Sequence, residues 1–299
     1  MALRNYLVGE VAKDFADGLF SRREALRRLG LLGLGAVPAA ALLAACGEPA
    51  APSAPTSPVG APPGRGPGVG RGSDVRFAGP AGELRGAWAA PAGAPKAAVL
   101  VIHENRGLTD HFYDVVGRFA GAGYGALCVD LLSAQGGTAA LTDPAQAPTT
   151  LAATPVDKLV ADLRAGIDEL GRRVPGAKVG AVGFCFGGGM VWQLLEAGES
   201  RLAAAVPFYG PAPEHPDFRR AKAAVLAIYG ELDQRVDATK QRADDALTAA
   251  GLVHTARVYS GADHAFFNDT GPRYNPEAAA AAWQATIDWF GQYLSVQHA

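Results

Sequence analysis

The segment Gly183-Phe184-Cys185-Phe186-Gly187-Gly188-Gly189 is the most informative part of the sequence about the fold. It joins an apolar run, KVGAVGF, to a pattern with helical spacing. A G-x-C-x-G turn between a strand and a helix corresponds to the G-x-S-x-G nucleophile elbow. Glycines two positions before and after Cys185 are needed there because side chains would collide in so sharp a turn. The helix N-terminus would favour the thiolate of Cys185, and the backbone N–H of Phe186 would face a developing oxyanion.

Two other interpretations of this loop remain open. A glycine-rich loop can cradle phosphate, but the chain has neither G-x-G-x-x-G nor the Lys-Ser/Thr pair of a P-loop. The missing fingerprint also disfavours a nucleotide-dependent oxidoreductase. Alternatively, Cys185 is a structural, buried cysteine and the glycines serve packing.

Working outward, short apolar runs alternate with longer amphipathic stretches. The runs predict strands at Lys96–Ile102, Tyr124–Val129, Lys178–Phe184, Leu202–Phe208, Ala223–Tyr229 and His254–Tyr259. The amphipathic stretches predict helices at Phe112–Ala122, Asp157–Arg173, Gly187–Ala197, Ala238–Ala250 and Pro276–Leu294. This alternation indicates an α/β fold, a mostly parallel sheet with helices on both faces. We expect Leu84–Ala89 to be an added edge strand.

Loops at the carboxyl ends of such strands carry the chemistry of α/β proteins. Asp233 follows the strand predicted at Ala223–Tyr229, and His264 follows the last predicted strand. Nucleophile, acid and base thus occur in the chain order expected of an α/β-hydrolase. Asp233 would orient His264, which would take the proton of Cys185 and pass it to the leaving oxygen, with a thioester intermediate. The alternatives are a structural histidine and a helix N-cap, although Asp237 fits the cap better.

From Lys96 to its C-terminus the chain resembles the dienelactone hydrolase (carboxymethylenebutenolidase) family, which has the α/β-hydrolase fold. Four segments carry the resemblance: Val101-Ile102-His103-Glu104-Asn105-Arg106-Gly107, Gly183-Phe184-Cys185-Phe186-Gly187-Gly188, Gly230-Glu231-Leu232-Asp233 and Asp263-His264-Ala265-Phe266. The resemblance implies that Glu104 contacts the catalytic Cys185 and helps to control its ionisation. It also implies that the N–H of Asn105 completes the oxyanion hole. A surface charge is the alternative for Glu104.

The chain departs from the family where the substrate is held. Family members that open dienelactones bind the substrate carboxylate with two arginines, and here Ala134 and Asn268 stand at those positions. Arg106 is a substitute from a different loop. Tyr209, Phe266 and Phe267 would make the pocket more apolar, unless they are core residues. We therefore expect an ester or lactone hydrolase whose substrate is not specified.

Composition limits the remaining functions. The chain has 299 residues, a formal net charge of -2 and three cysteines. A charge so near zero argues against nucleic-acid binding, and three cysteines are too few for a disulfide framework or a cysteine-rich zinc site. We expect no cofactor and no metal, a small-molecule substrate, a monomer, and a buried, inert Cys128.

Residues 1–46 are typical of a bacterial export signal. Arg22-Arg23 after Ser21 resembles the twin-arginine signal, and a short apolar run from Leu29 to Ala45 follows it. Leu43-Ala44-Ala45-Cys46 resembles a lipobox, which implies a lipidated Cys46 and a protein held outside the cytoplasmic membrane without spanning it. An ordinary signal with an incidental cysteine remains the alternative. Unusually, residues 1–20 are partly acidic and have apolar residues at helical spacing.

Two further segments complete the predicted organisation. Residues 47–73 are rich in proline, glycine and alanine and are expected to form a flexible tether. Residues 74–299 would form the catalytic domain, long enough for one substantial core. A different class of function also fits this layout, a non-catalytic surface lipoprotein that binds a small ligand on a hydrolase scaffold.

Overall fold

A computed structural model describes residues 3–47, 62–66 and 69–295 of the chain. Its described residues form one eight-stranded sheet, in the order β1-β2-β4-β3-β5-β6-β7-β8. The strands are β1 (Ser73–Gly79), β2 (Gly82–Ala89), β3 (Ala98–Ile102), β4 (Gly125–Val129), β5 (Val179–Phe184), β6 (Leu202–Phe208), β7 (Ala224–Gly230) and β8 (His254–Tyr259). The strands from β3 onward pair in parallel, whereas β1 with β2 and β2 with β4 are antiparallel.

The apolar runs of the sequence are the centre of this sheet. Every residue of β3, β4, β5 and β7 is buried, as expected of parallel strands covered on both faces. The predicted mostly parallel α/β fold is confirmed, and each predicted strand lies within two residues of the observed one. The strand predicted at Leu84–Ala89 is confirmed as β2, but its predicted position at the edge is wrong, because β1 pairs with β2 and forms the edge itself.

Ten α-helices occur among the described residues. They are α1 (Leu3–Ala16), α2 (Arg22–Leu31), α3 (Ala36–Ala45), α4 (Asp110–Gly121), α5 (Gln146–Ala153), α6 (Val156–Arg173), α7 (Phe186–Glu196), α8 (Gln234–Asp237), α9 (Lys240–Ala249) and α10 (Pro276–Leu294). The amphipathic pattern explains α6, where Leu159, Leu163, Ile167 and Leu170 recur every three or four residues and are all buried. The short helices α5 and α8 were not predicted.

The N-terminal segment folds into α1, α2 and α3, which pack on the rest of the protein. The hydroxyl of Ser21 accepts a hydrogen bond from the N–H of Glu24 and so caps α2. The side chains of Leu7, Leu29 and Leu43, one from each helix, are completely buried. No helix of the described ranges is long and apolar enough to cross a membrane. Most of the tether predicted at 47–73 lies outside the described residues.

Candidate active site

The predicted nucleophile lies in a sharp turn between β5 and α7. Cys185 has φ 56° and ψ -118°, a backbone conformation that residues other than glycine rarely adopt. It is the N-cap of α7. A Cβ at Gly183 would lie 2.1 Å from the carbonyl oxygen of Gly187, and one at Gly187 would lie 2.2 Å from that of Ile102. The prediction that glycine is required two positions before and after Cys185 is therefore confirmed.

The predicted acid and base are in direct contact. Nδ1 of His264 lies 2.5 Å from Oδ2 of Asp233, and both side chains are buried. The carboxylate of Asp233 also accepts from the N–H of Val236 and caps α8, so it has both of the roles that the sequence left open. The prediction of Asp237 as the cap is wrong, since it is the last residue of α8 and Thr239 precedes α9.

The second ring nitrogen of His264 faces Cys185 and, unexpectedly, a residue of α1. Nε2 of His264 lies 3.4 Å from Oε2 of Glu10. A donor atom of each of these two residues and Sγ of Cys185 lie within 4.8 Å of one another. The hydroxyl of Tyr6, also on α1, lies 3.2 Å from Sγ of Cys185. The three predicted residues are thus brought together, under a helix that the sequence did not connect to them.

The electrostatics of this cluster follow from burial and from two carboxylates. Burial lowers the pKa of His264, but the charges of Glu10, Asp233 and Cys185 outweigh it and raise that pKa well above its usual value. Burial, with a contribution from Glu10, raises the pKa of the Cys185 thiol, although His264 opposes it. The thiolate expected from the helix N-terminus is therefore disfavoured while α1 is in place.

Glu104 is held beside the cluster by two donors. Nδ2 of Asn268 donates to Oε2 at 2.8 Å, and the hydroxyl of Tyr209 donates to Oε1 at 3.5 Å. The charge of Glu104 raises the pKa of Cys185 slightly, but no direct hydrogen bond between them occurs in the described part of the chain. Glu104 is buried, unlike the surface charge that was its alternative. Asn268 thus positions this carboxylate.

A cavity of about 150 Å³ opens beside Cys185 and His264, and its wall includes Asn105, Arg106 and Arg273. Phe186 is the first residue of α7, so its N–H has no carbonyl within that helix to bind. Asn105 and Arg106 thus lie where the sequence suggested. Phe266 and Phe267 do not line this cavity; both are completely buried, and Phe267 packs on Phe184.

Three described non-glycine residues have a positive φ, and all three lie at this site. They are Cys185 at 56°, Tyr209 at 33° and Ala265 at 61°. Tyr209 follows β6 and Ala265 follows His264, so each strained residue is in a loop at the carboxyl end of the sheet. Backbone strain of this kind costs about 1–3 kcal/mol per residue and persists only where its surroundings enforce it.

Four residues of this region were missed by the sequence argument: Tyr6 and Glu10 of α1, with Arg235 and Arg273 of the domain. Arg235 pairs with Glu10, and Nη2 of Arg273 lies 2.8 Å from Oδ1 of Asp14. The apolar residues of this segment have helical spacing, and the segment is partly acidic. Nothing local in the sequence indicated the partner of that segment.

The two other cysteines lie in different environments. Cys128 is completely buried in β4, and burial raises its pKa well above the usual value. The prediction of an inert core thiol is consistent with both observations. Cys46 is partly buried at the end of α3, and none of the three cysteines is in a disulfide.

Comparison with known proteins assigns the family. Residues 84–294 match the dienelactone hydrolase family. A relative from Methylorubrum extorquens, provisionally named carboxymethylenebutenolidase, is 35% identical over 215 residues, which is 67% of this chain and 74% of the relative. The crystal structure of a provisionally named dienelactone hydrolase from Klebsiella pneumoniae has a TM-score of 0.67 and 28% identity, over 74% of this chain and 98% of that one. A dienelactone hydrolase-like promiscuous phosphotriesterase from metagenomic libraries has a TM-score of 0.64 and 25% identity, over 76% of this chain and 100% of its own. This chain therefore belongs to the dienelactone hydrolase family of hydrolases and has the α/β-hydrolase fold.

Proposed function

We propose that this protein hydrolyses carboxylic esters or lactones through a thioester on Cys185. The observation that carries the proposal is the 2.5 Å contact between Asp233 and His264, beside a cysteine in a strained strand-to-helix turn. A nucleophile, a base and a group that orients the base are the parts that acyl transfer requires. Membership of a hydrolase family supports the same reaction class.

The first half of the reaction would proceed as follows. Nε2 of His264 takes the proton of the thiol while Sγ of Cys185 attacks the carbonyl carbon. The N–H groups of Phe186 and Asn105 would stabilise the oxyanion. The intermediate collapses to a thioester, and the leaving alkoxide takes the proton from His264. Asp233 keeps the imidazole oriented throughout.

In the second half, water attacks the thioester. His264 takes the proton of that water, and the tetrahedral intermediate expels the thiolate, which recovers its proton from His264. The acid is released and the enzyme is restored. A lactone follows the same course, except that its leaving oxygen remains attached to the acyl group, so the product is one hydroxy acid.

Turnover of p-nitrophenyl acetate and of a γ-lactone tests this proposal, with mass spectrometry to detect an acetyl group on the peptide containing Cys185. We expect Cys185→Ala to abolish both turnover and acylation. Cys128→Ala is the matched control, since it removes a thiol from an inert position. The comparison is made both in the full chain and in the folded domain after residues 1–46 have been cut away. Equal turnover with and without Cys185 in both forms would exclude the mechanism. A folded protein that is not acylated in either form would instead favour the non-catalytic ligand-binding lipoprotein.

We also propose that residues 1–46 direct export and that Cys46 carries the lipid. The exposed pair Arg22-Arg23 and the apolar run that follows it support this assignment. Mass spectrometry of protein extracted from membranes tests it. A Cys46 at the N-terminus of the mature chain with its lipid is the expected result, and an unmodified Cys46 would contradict it.

A further inference from the structure

α1 lies directly over the two groups that an acyl substrate must reach. The hydroxyl of Tyr6 is 3.2 Å from the thiol of Cys185, and a carboxylate oxygen of Glu10 is 3.4 Å from Nε2 of His264. The side chains of Tyr6 and Glu10 are themselves buried, as are Leu7 and Phe15 of the same helix. Tyr6 covers one side of Sγ, and the cavity of about 150 Å³ that remains beside Cys185 is itself walled by Glu10 and Asp14 of α1, so the helix restricts the approach of a substrate carbonyl to the thiol.

The charges of α1 match those around the cleft. Glu10 pairs with Arg235, whose guanidinium carbon also lies 4.8 Å from the centre of the Tyr6 ring. Arg273 is 2.8 Å from a carboxylate oxygen of Asp14. Lys13 provides the reverse pairing, 2.8 Å from Asp263, which is adjacent to His264. Ion pairs at three positions along one helix fix its register on the cleft, and most of these side chains are at least three-quarters buried.

The rest of the N-terminal segment anchors α1. Ala25 and Leu29 of α2 and Leu43 of α3 are completely buried in the common core. Arg27 of α2 also pairs with Asp143 of the domain, 2.5 Å away. The position of α1 therefore does not depend on Tyr6 and Glu10 alone.

The protonation of the site in this arrangement is also unsuited to catalysis. Nδ1 of His264 faces Asp233 and Nε2 faces Glu10, so both ring nitrogens are next to a carboxylate. Burial opposes the charge on His264, yet these carboxylates raise its pKa well above the usual value. Burial and Glu10 raise the pKa of Cys185. A carboxylate therefore lies next to the nitrogen of His264 that must accept the proton of the thiol, and it disfavours the neutral imidazole that catalysis requires.

We propose that α1 is an internal inhibitor that occupies the catalytic cleft, and that hydrolysis requires it to leave. The idea of inhibition rests on the proposed hydrolase function, whereas the covering of Cys185 does not. α1 lies within the predicted export signal, residues 1–46, and is joined covalently to the domain through the rest of that segment. Cleavage before Cys46, which the proposed lipoprotein signal requires, would leave it held by non-covalent contacts alone. The high effective concentration that favours the closed form would then be lost.

The first test measures alkylation of Cys185 by iodoacetamide in the full chain, followed by mass spectrometry. Glu10→Gln removes the charge that pairs with Arg235, and Tyr6→Ala removes the side chain over the thiol. We expect each to increase the alkylation rate by about a hundredfold, because breaking a buried ion pair or emptying a packed site shifts the closed form strongly toward the open one. Glu83→Gln, in the exposed pair with Arg76, is the matched control and leaves the rate unchanged. Unchanged rates in both α1 variants would overturn the proposal.

A second form of the protein avoids substitutions in the buried contact. A specific protease site in place of residues 52–57 allows the folded protein to be cut, and gel filtration then removes the N-terminal fragment. We expect the remaining domain to alkylate faster, and a synthetic peptide of residues 1–20 to slow it again. A fragment that leaves without any change in the rate would contradict the proposal.

Hydrolysis of p-nitrophenyl acetate, measured in parallel, separates the two proposals. Faster alkylation with faster turnover supports both. If alkylation becomes faster but no form of the protein hydrolyses the ester, the covering of Cys185 by α1 is supported and the proposed hydrolase function is overturned. Turnover in wild type that falls when α1 is removed would overturn inhibition, since α1 would then be part of the catalytic machinery.

Discussion

Asn268 donates a 2.8 Å hydrogen bond to the buried carboxylate of Glu104, 164 residues earlier in the chain. The side-chain oxygen Oδ1 of Asn268 accepts from the N–H and the hydroxyl of Thr270. The amide of Asn268 thus makes hydrogen bonds through both its nitrogen and its oxygen, but only the nitrogen contacts a residue of the site. A substitution that changes one side alone can measure what the contact with Glu104 contributes.

Asn268→Asp keeps the oxygen that accepts from Thr270 and replaces the donating NH₂ by a second oxygen. We expect it to lower the free energy of unfolding by about 2 kcal/mol near neutral pH, the usual cost of losing a hydrogen bond to a charged group. Urea unfolding of wild type and variant measures this, and an unchanged free energy of unfolding would contradict it.

Asp233→Asn retains an oxygen to cap α8 but removes the charge beside His264. We expect ester hydrolysis to fall by about ten-thousandfold, as the imidazole loses the partner that fixes its tautomer and stabilises its charged form. The pKa of His264 should also fall, because Asp233 raises it. Histidine NMR reports the pKa directly. Asp237→Asn, at the other end of α8, is the control and should change neither quantity.

The raised pKa of His264 predicts how stability depends on pH. A group whose pKa is higher in the folded state contributes stability fully below its unfolded value, about 6.5, and that contribution is lost as pH rises through the folded value. The charged groups that face His264 are Glu10 from α1, Asp233 before α8 and Cys185 before α7. Urea unfolding of wild type and His264→Gln should therefore differ most below pH 6.5 and converge at higher pH. A difference that grows with pH would contradict the assignment.

Gly183→Ala should destabilise the elbow severely. Its Cβ would lie 2.1 Å from the carbonyl oxygen of Gly187, so the backbone must move, at a cost of about 3 kcal/mol. Gly189→Ala, six residues later in α7, is the matched control, since its Cβ would meet nothing closer than 3.7 Å. The control should be neutral or stabilise by about 0.5–1 kcal/mol. Thermal unfolding of both variants measures the contrast, and similar effects would exclude this account of the turn.

Arg118 is a completely buried cation near the site, paired with Asp114 and with Asp269 at 2.8 Å. Asp269→Asn leaves that charge partly uncompensated and should cost about 3 kcal/mol. Glu83→Gln, in a pair whose side chains are more than half exposed, should cost less than about 1 kcal/mol. If the two variants lose the same free energy of unfolding in urea, the burial of Arg118 does not determine how much its ion pairs contribute to stability.

Most of the sheet could be predicted from the sequence because its strands are buried on both faces and so read as continuous apolar runs. β1 could not, because only Phe77 among its residues is buried and an exposed edge strand has no such run. Cys185, Asp233 and His264 could be predicted because parallel topology brings the ends of successive strands together. Each lies in a short loop after a strand that was itself recognisable.

The covering helix could not be predicted in the same way. Its own pattern indicated a partly acidic helix, but Tyr6 and Cys185 are 179 residues apart and share no repeating element. An amphipathic helix could pack on many surfaces of the domain. Which surface it covers depends on where Arg235 and Arg273 lie in the folded protein. The sequence also predicted a pocket wall of Tyr209, Phe266 and Phe267, with a place in the core as the alternative, and tertiary packing buries all three completely, away from the cavity wall.

The strained backbone at Cys185, Tyr209 and Ala265 has a consequence for how this protein can change. Each of these residues lowers stability, and each is in a loop that shapes the site. Selection for heat resistance would find its readiest gains by relaxing these three positions, and would lose activity as it did so. Stability that leaves function intact must instead come from places far from the elbow, such as glycines with open space around them on the outer helices.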